Sequence, residues 1–240
     1  MEERFKVYRE MAERFFHFIK NEHIYLSDDC NDYDEWEFDG FSVSSGCSKT
    51  VLIPDDSELE YVIKIPNDID DCRYYLDKEV EMTENLPETL EPLFYKTYYL
   101  FSFKWEGEHN YFYWPVYIQE RAEGSCFYYP SKKQNDTYYQ VAADIAEEVM
   151  SSPNTPCSEE YGCGEDALDN TGDTFYIAAY LSCSEEVYRR LIAFLYEYNV
   201  NDLHRGNFCC DTKPVFDSEG HIIEEVPTRV KIFDYSGYYV

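Results

Sequence analysis

Between Phe41 and Glu120 the chain lays down short strand-like runs around a single helix-like one, and that order constrains the fold more than any other feature. From about Phe41 to Pro66 the pattern is β-type. Thr50-Val51-Leu52-Ile53 and Tyr61-Val62-Ile63-Lys64-Ile65 flank the polar turn Pro54-Asp55-Asp56-Ser57, which reads as a hairpin. A helical pattern then runs from about Ile69 to Leu86 and is ended by Pro87. Two aromatic-rich strands follow, at roughly Leu93 to Phe103 and Tyr111 to Glu120. The order strand, strand, strand, helix, strand, strand predicts a five-stranded antiparallel sheet with one helix.

Ahead of this block, Phe5, Tyr8, Met11, Phe15, Phe16 and Ile19 recur at three- and four-residue spacing, which predicts an amphipathic helix packed on the body of the protein. Its polar face is not predominantly basic, unlike that of a helix lying on a membrane surface. After Gly124 a helical segment is expected around Tyr138 to Met150. A surface loop rich in Ser, Gly, Asn, Asp and Pro is expected from Ser151 to Asp173. Ser184, followed by Glu185 and Glu186 and then by Val187, Leu191, Phe194 and Leu195, has the form of an N-cap opening a helix. Val230-Lys231-Ile232-Phe233 returns to strand character and ends at Asp234. The expected division is an N-terminal helix over 1–22, a sheet-bearing part over 23–120 and a mainly helical part over 121–240, making one functional unit of class α+β.

Composition narrows the function classes. Hydrophobic residues make up 44% and aromatics 18%, more apolar surface than a disordered acidic chain leaves in water, so the chain is expected to fold. The formal net charge of -29 repels phosphates, which argues against direct nucleic-acid binding and against anionic membrane surfaces. Mimicry of DNA by acidic groups would need carboxylates at phosphate-like spacing, and their distribution here is irregular. Nine cysteines and no recognisable signal peptide predict free thiols and a cytoplasmic location, or delivery into a host cytosol. Their spacing does not suit a zinc knuckle. Apolar runs such as Leu191 to Leu195 are too short to span a bilayer.

The sharpest local signal is Asn201-Asp202-Leu203-His204-Arg205-Gly206-Asn207, placed just after a helix and followed later by Ile232-Phe233-Asp234-Tyr235-Ser236-Gly237. Two loops thus deliver two carboxylates and an amide. Phosphoryl transfer needs a group to orient or deprotonate the incoming hydroxyl and hard oxygen ligands for Mg²⁺. Asp202 suits the first role, and Asn207 and Asp234 suit the second. Lys64 lies inside an apolar run, where its ammonium needs a partner, and Glu79 on the following helix can supply one. Glu81 is the alternative.

At these residues the sequence resembles the protein-kinase-like superfamily, whose catalytic loop reads Asp, four intervening residues, Asn, and whose metal loop reads Asp-Phe-Gly or a variant. The form from Asp202 to Asn207 is closer to aminoglycoside and choline kinases and to atypical bacterial or phage kinases than to eukaryotic protein kinases. The resemblance implies a two-lobed fold, ATP and Mg²⁺ as cofactors, Asp202 as catalytic aspartate, and Asn207 and Asp234 as metal ligands. Lys64, held by Glu79, would bind the nucleotide phosphates. Ser45-Gly46-Cys47-Ser48 falls where a phosphate-covering turn belongs, and Glu120, Arg121 and Ala122 fall at the hinge whose main chain would meet adenine. His204 would act near the terminal phosphate or fix the loop by a hydrogen bond; Arg205 reads as structural. Tyr238 and Tyr239 are candidates for self-phosphorylation.

The pattern departs from the family in three places. Val200 stands where eukaryotic kinases carry His, Tyr235-Ser236 replaces the residues after the metal-loop Asp, and no peptide-docking platform of the usual kind is expected beyond that loop. The function implied is an ATP- and Mg²⁺-dependent phosphotransferase whose acceptor is a protein hydroxyl or a small molecule. A non-catalytic pseudokinase or interaction module, or transfer of AMP, are the alternatives.

Overall fold

The computed structural model of the chain describes residues 3–22, 24, 26, 38–46, 48–70, 72–106, 111–123, 128–157, 168 and 171–235. The fold is α+β. It divides into two compact units, Met1–Glu84 with Lys96–Arg121, and Asn85–Tyr95 with Ala122–Val240.

The first unit is built on five strands, β1 (Phe41–Ser45), β2 (Lys49–Pro54), β3 (Tyr61–Pro66), β4 (Thr97–Glu106) and β5 (Tyr111–Glu120). They form one antiparallel sheet in the order β1-β2-β3-β5-β4. Helices α1 (Lys6–Asn21) and α2 (Arg73–Glu84) complete it. Register sorts the side chains, because alternate residues of a strand point to opposite faces. Leu52 pairs with Ile63, and Ile63 with Ile118, so these three share a face. With Phe41, Val43, Ile65, Leu100, Phe101 and Val116 they form a core with Tyr8, Met11, Ala12, Phe15, Phe16 and Ile19 of α1. The Phe16 ring stacks on Phe103 with centroids 4.4 Å apart. The N-terminal helix is therefore part of the sheet-bearing unit rather than a separate piece.

The opposite face is polar. Val51 pairs with Lys64, Lys64 with Tyr117, and Thr97 with Gln119, which puts Lys64, Tyr117, Thr97 and Gln119 together on the side where α2 supplies Asp77 and Glu79. Two boundaries differ from the expected ones. Helix α2 starts at Arg73 because Asp68 turns the preceding segment, its Oδ1 accepting the Asp70 N–H at 2.7 Å. Strand β4 starts at Thr97 because Glu91–Leu93, with Pro92 in its opening turn, is a 3₁₀ helix.

In the second unit, Ser131 opens a helix with a capping box, its hydroxyl accepting from the Gln134 N–H. The helix runs through α3 (Lys132–Gln134), a π-helical turn over Asn135–Tyr139, and α4 (Gln140–Met150), so it starts earlier than the expected Tyr138. Helix α5 (Asp173–Ser182) was not expected at all; α6 (Glu185–Glu197) carries the expected cap, with Ser184 Oγ accepting from Val187 N–H. Strands β6 (Phe208–Phe216) and β7 (Ile222–Ile232) form a two-stranded antiparallel sheet. Helix α5 packs against β7 and brings Phe175 beside Phe208, centroids 5.5 Å apart. The stretch Asn85–Tyr95 is tied to this unit through Tyr95, whose N–H donates to the Ile232 carbonyl at 2.9 Å and whose carbonyl accepts the Tyr235 hydroxyl at 3.2 Å.

Cys72, Cys183, Cys209 and Cys210 are thiols, but Cys157 is joined in a disulfide whose partner lies outside the described residues. This corrects the expectation of free thiols throughout. Pairing depends on the approach of Cα atoms in space, which a count and a spacing do not determine. Among the described residues, no helix is long and apolar enough to cross a membrane.

Candidate functional site

On the polar face of the first unit, Lys64 Nζ lies 2.8 Å from Glu79 Oε2, and both side chains are more than nine-tenths buried. Glu79 rather than Glu81 takes this lysine. Lys49, absent from the sequence-based site, reaches the other oxygen of the same carboxylate, its Nζ 3.1 Å from Oε1. Thr97 Oγ1 donates to Oε2 at 2.9 Å, and Gln119 Nε2 donates to Thr97 Oγ1 at 2.8 Å. Because the amide occupies the threonine oxygen as an acceptor, the hydroxyl hydrogen is directed at Glu79. Glu79 thus holds two ammoniums in fixed places. Lys78 next to it is also buried, and loss of solvent pulls its pKa down to about 7 despite the attraction of Glu79.

The turn before Lys49 is tied to the same region by Asn67. The Asn67 N–H donates to Ser48 O at 2.9 Å, its Nδ2 to Gly46 O at 2.7 Å, and its Oδ1 accepts the Thr50 hydroxyl at 2.8 Å. Ser45, Gly46 and Ser48 therefore form a fixed turn, while Cys47 lies outside the described residues.

In the second unit, α6 delivers the loop from 201 to 207. The chain leaves the helix through Asn199, whose φ of 46° is in the left-handed region that Asn tolerates better than most residues. Val200 and Leu203 are fully buried and anchor the loop from beneath. Val200 is thus a core residue. The Asp202 side chain is about one-eighth exposed, with Oδ2 3.9 Å from His204 Nε2. His204 Nδ1 accepts the Gly206 N–H at 2.9 Å, which leaves the proton of the neutral ring on Nε2, the nitrogen facing Asp202. The loop-fixing bond considered for His204 is present. Arg205 donates to the Tyr129 hydroxyl at 2.6 Å and lies over that ring.

Asn207 joins the two motifs. Its Nδ2 donates to the Asp202 carbonyl at 2.6 Å, and its own carbonyl accepts from Phe233 N–H at 3.0 Å and Asp234 N–H at 3.4 Å. The cause is the β6–β7 ladder, which pairs Phe208 with Ile232 and so sets Asn207 opposite Phe233, with Asp234 next along the chain. Ser236, Gly237, Tyr238 and Tyr239 lie outside the described residues.

The expected hinge fares differently. The Glu120 N–H donates to Lys96 O at 3.0 Å and the Arg121 N–H to Glu60 O at 2.7 Å, so neither offers that N–H to a ligand. The Arg121 guanidinium is bound to the carbonyls of Pro54 and Asp56, both at 3.0 Å.

The donor set suits a hard cation. With the Asn207 amide nitrogen turned to Asp202 O, its oxygen is the end presented elsewhere, and Asp234 adds a carboxylate. Among the described residues no group of three or more His, Cys, Asp and Glu is gathered as a metal cage. Mg²⁺ does not require one, since it is commonly held by one or two carboxylates together with substrate phosphates. No family model, curated protein or solved structure matches the chain.

Proposed function

We propose that the chain is an ATP- and Mg²⁺-dependent phosphotransferase of the protein-kinase-like fold, acting on a hydroxyl of a protein or a small molecule. The observation that carries this reading is the pinning of Asp234 to Asn207, whose carbonyl accepts the Asp234 N–H while its side chain holds the loop bearing Asp202. A catalytic-type and a metal-type loop made adjacent by main-chain bonds are preorganised, which is how positioning and charge stabilisation accelerate phosphoryl transfer. Asp202 orients the acceptor hydroxyl or takes its proton. Asn207 and Asp234 would hold Mg²⁺, which when bound neutralises charge on the phosphates. Lys64, fixed by Glu79, binds the phosphate chain as a point charge.

Incubation of the purified protein with γ-labelled or α-labelled ATP and Mg²⁺ tests the reading. Transfer of the γ label, abolished in Asp202→Ala and Asp234→Ala, is the expected result. Transfer of the α label indicates nucleotidyl transfer instead. No transfer with either label, and an Asp202→Ala variant that behaves as the parent, would overturn the enzymatic reading in favour of a scaffold.

A further inference from the structure

Helix α1 stops at Asn21 while the sheet it covers runs on. Strands β4 and β5 pair Phe103 with Trp114 and then Trp105 with Phe112, and it is Phe103, the ring nearer the sheet centre, that Phe16 of α1 stacks on. Next to this aromatic end lies a cavity of about 420 Å³. Trp105, Phe112 and Trp114 line its sheet side, Ile19 and Leu26 its helix side, and Asp68 and Asp70 stand in the segment after β3 that completes it. The volume falls in the range of small-molecule sites. Its parts are held in place: Trp114 Nε1 donates to the Pro66 carbonyl at 2.8 Å, and Asp68 Oδ1 accepts the Asp70 N–H at 2.7 Å. With its polar hydrogen committed, the Trp114 indole has only ring surface to offer a ligand. The rings incline to one another by 56° between Trp105 and Trp114 and by 49° between Phe112 and Trp114, so they stand as separate walls rather than as a closed stack.

The chemistry of this lining selects a cation. Aromatic faces carry negative potential, the two charged residues are carboxylates, and among the described lining residues none is basic. The net charge of -29 draws cations towards the chain and repels anions. Lys20 is a native instance of the attraction, its Nζ 6.0 Å from the Trp105 centroid, although it does not line the cavity. A guanidinium would bring five N–H donors that ring faces cannot satisfy, whereas an alkylated ammonium presents a charge clothed in apolar groups. We infer that the cavity binds a small organic molecule carrying an alkylated ammonium, its charge over the rings of Trp105, Phe112 and Trp114 and in the field of Asp68 and Asp70. The site lies wholly within the first unit and does not depend on the phosphotransferase reading.

The test is calorimetric titration of the full chain with benzyltrimethylammonium and with its neutral counterpart benzyl alcohol, at physiological salt, where loose attraction to the acidic surface is screened. Saturable binding of one ammonium per chain, about tenfold or more tighter than benzyl alcohol, is expected. Trp105→Leu keeps apolar bulk and removes the large ring face. The double variant Asp68→Asn with Asp70→Asn removes both charges and keeps an acceptor for the 70 N–H. Each should weaken the ammonium about fivefold or more. Benzyl alcohol bound as tightly as the ammonium overturns the inference, as does ammonium binding that does not saturate or that either variant leaves unchanged. Should Trp105→Leu fail to melt cooperatively, the indole N–H resonances of the parent give the answer: shifts at Trp105 and Trp114 on adding the ammonium support the site, and unmoved signals overturn it. A trimethyllysine peptide that binds where benzyltrimethylammonium does not overturns the small-molecule assignment in favour of a protein ligand.

Discussion

Gly206 and His204 are packed so closely that a side chain at Gly206 has no room: a Cβ there would lie 2.7 Å from His204 Cε1 and 3.0 Å from Nδ1. Glycine at this position is needed for close approach rather than for an unusual φ. Gly206→Ala should push the imidazole away, break its bond to the 206 N–H and release Nε2 from Asp202. Because His204 is half exposed and can swing into solvent, the stability loss should stay near about 1 kcal/mol, whereas the proposed phosphoryl transfer should fall about tenfold or more. The double variant with His204→Ala checks the route. Transfer no weaker than in His204→Ala alone places the effect of Gly206 in the ring it positions.

Glu79 accepts from Lys49, Lys64 and Thr97, and Gln119 is aligned through Thr97. Glu79→Gln keeps the shape and leaves the ammoniums facing a neutral amide. Breaking a buried pair from one side costs about 3–5 kcal/mol, so the variant should show a large drop in denaturant midpoint with little change in slope. Glu81→Gln, two positions further along α2, should leave the midpoint near that of the parent.

Much of this arrangement is legible in the sequence, and the parts that are not have physical reasons. Lys64 announces a partner because it sits within Tyr61–Ile65, a run otherwise bound for the interior, and Glu79 follows on the next helix. Lys49 carries no such mark. Placing it beside Lys64 requires the β2–β3 register, which pairs Lys49 with Pro66, and a slip of one residue would turn it to the α1 face. Helix α5 escaped because Phe175, Tyr176, Ile177, Ala178 and Ala179 are consecutive and all buried, and a helix covered on every side shows no 3.6-residue period. The spacing of Asp202, Asn207 and Asp234 was visible, but the reason Asn207 meets Asp234 is strand β6. That strand is broken in its middle by Asp211, Thr212, Lys213 and Pro214, a polar run with a proline between Phe208-Cys209-Cys210 and Val215-Phe216, and does not read as one.

Helix α6 launches the loop that carries Asp202, and its first turn is held by Ser184 Oγ, which accepts the Val187 N–H at 3.3 Å. Further along, the Tyr188 hydroxyl donates to Ala142 O at 3.0 Å from a fully buried ring. Ser184→Ala should cost about 1 kcal/mol, and Ser184→Gly only a few tenths of that, read from thermal or denaturant midpoints. Since the cap lies at the far end of the helix from Asp202, transfer activity per folded molecule should be unchanged; a loss in proportion to stability would mean that α6 frays as a whole.

Lys78 gives the chain a pH dependence whose sign can be worked out. Burial lowers its pKa from 10.5 to about 7, the reverse of what a lysine gains from an ion pair, and the attraction of Glu79 recovers only part of the shift. Below about pH 7 both folded and unfolded chains carry the proton, and the folded state bears the full penalty of a buried ammonium. Between about 7 and 10 the unfolded chain binds the proton and the folded one sheds it, so this group's contribution to stability rises with pH by up to about 1.4 kcal/mol per unit. Raised tyrosine pKa values act the other way at higher pH, notably Tyr117 and Tyr188, whose burial favours the neutral phenol. Comparing the parent with Lys78→Met cancels them. The stability gained by the methionine variant should be largest below about pH 7 and should shrink by about 2 kcal/mol between about pH 7 and about pH 9. A difference that stays constant across that window would mean that Lys78 keeps its proton in the folded state.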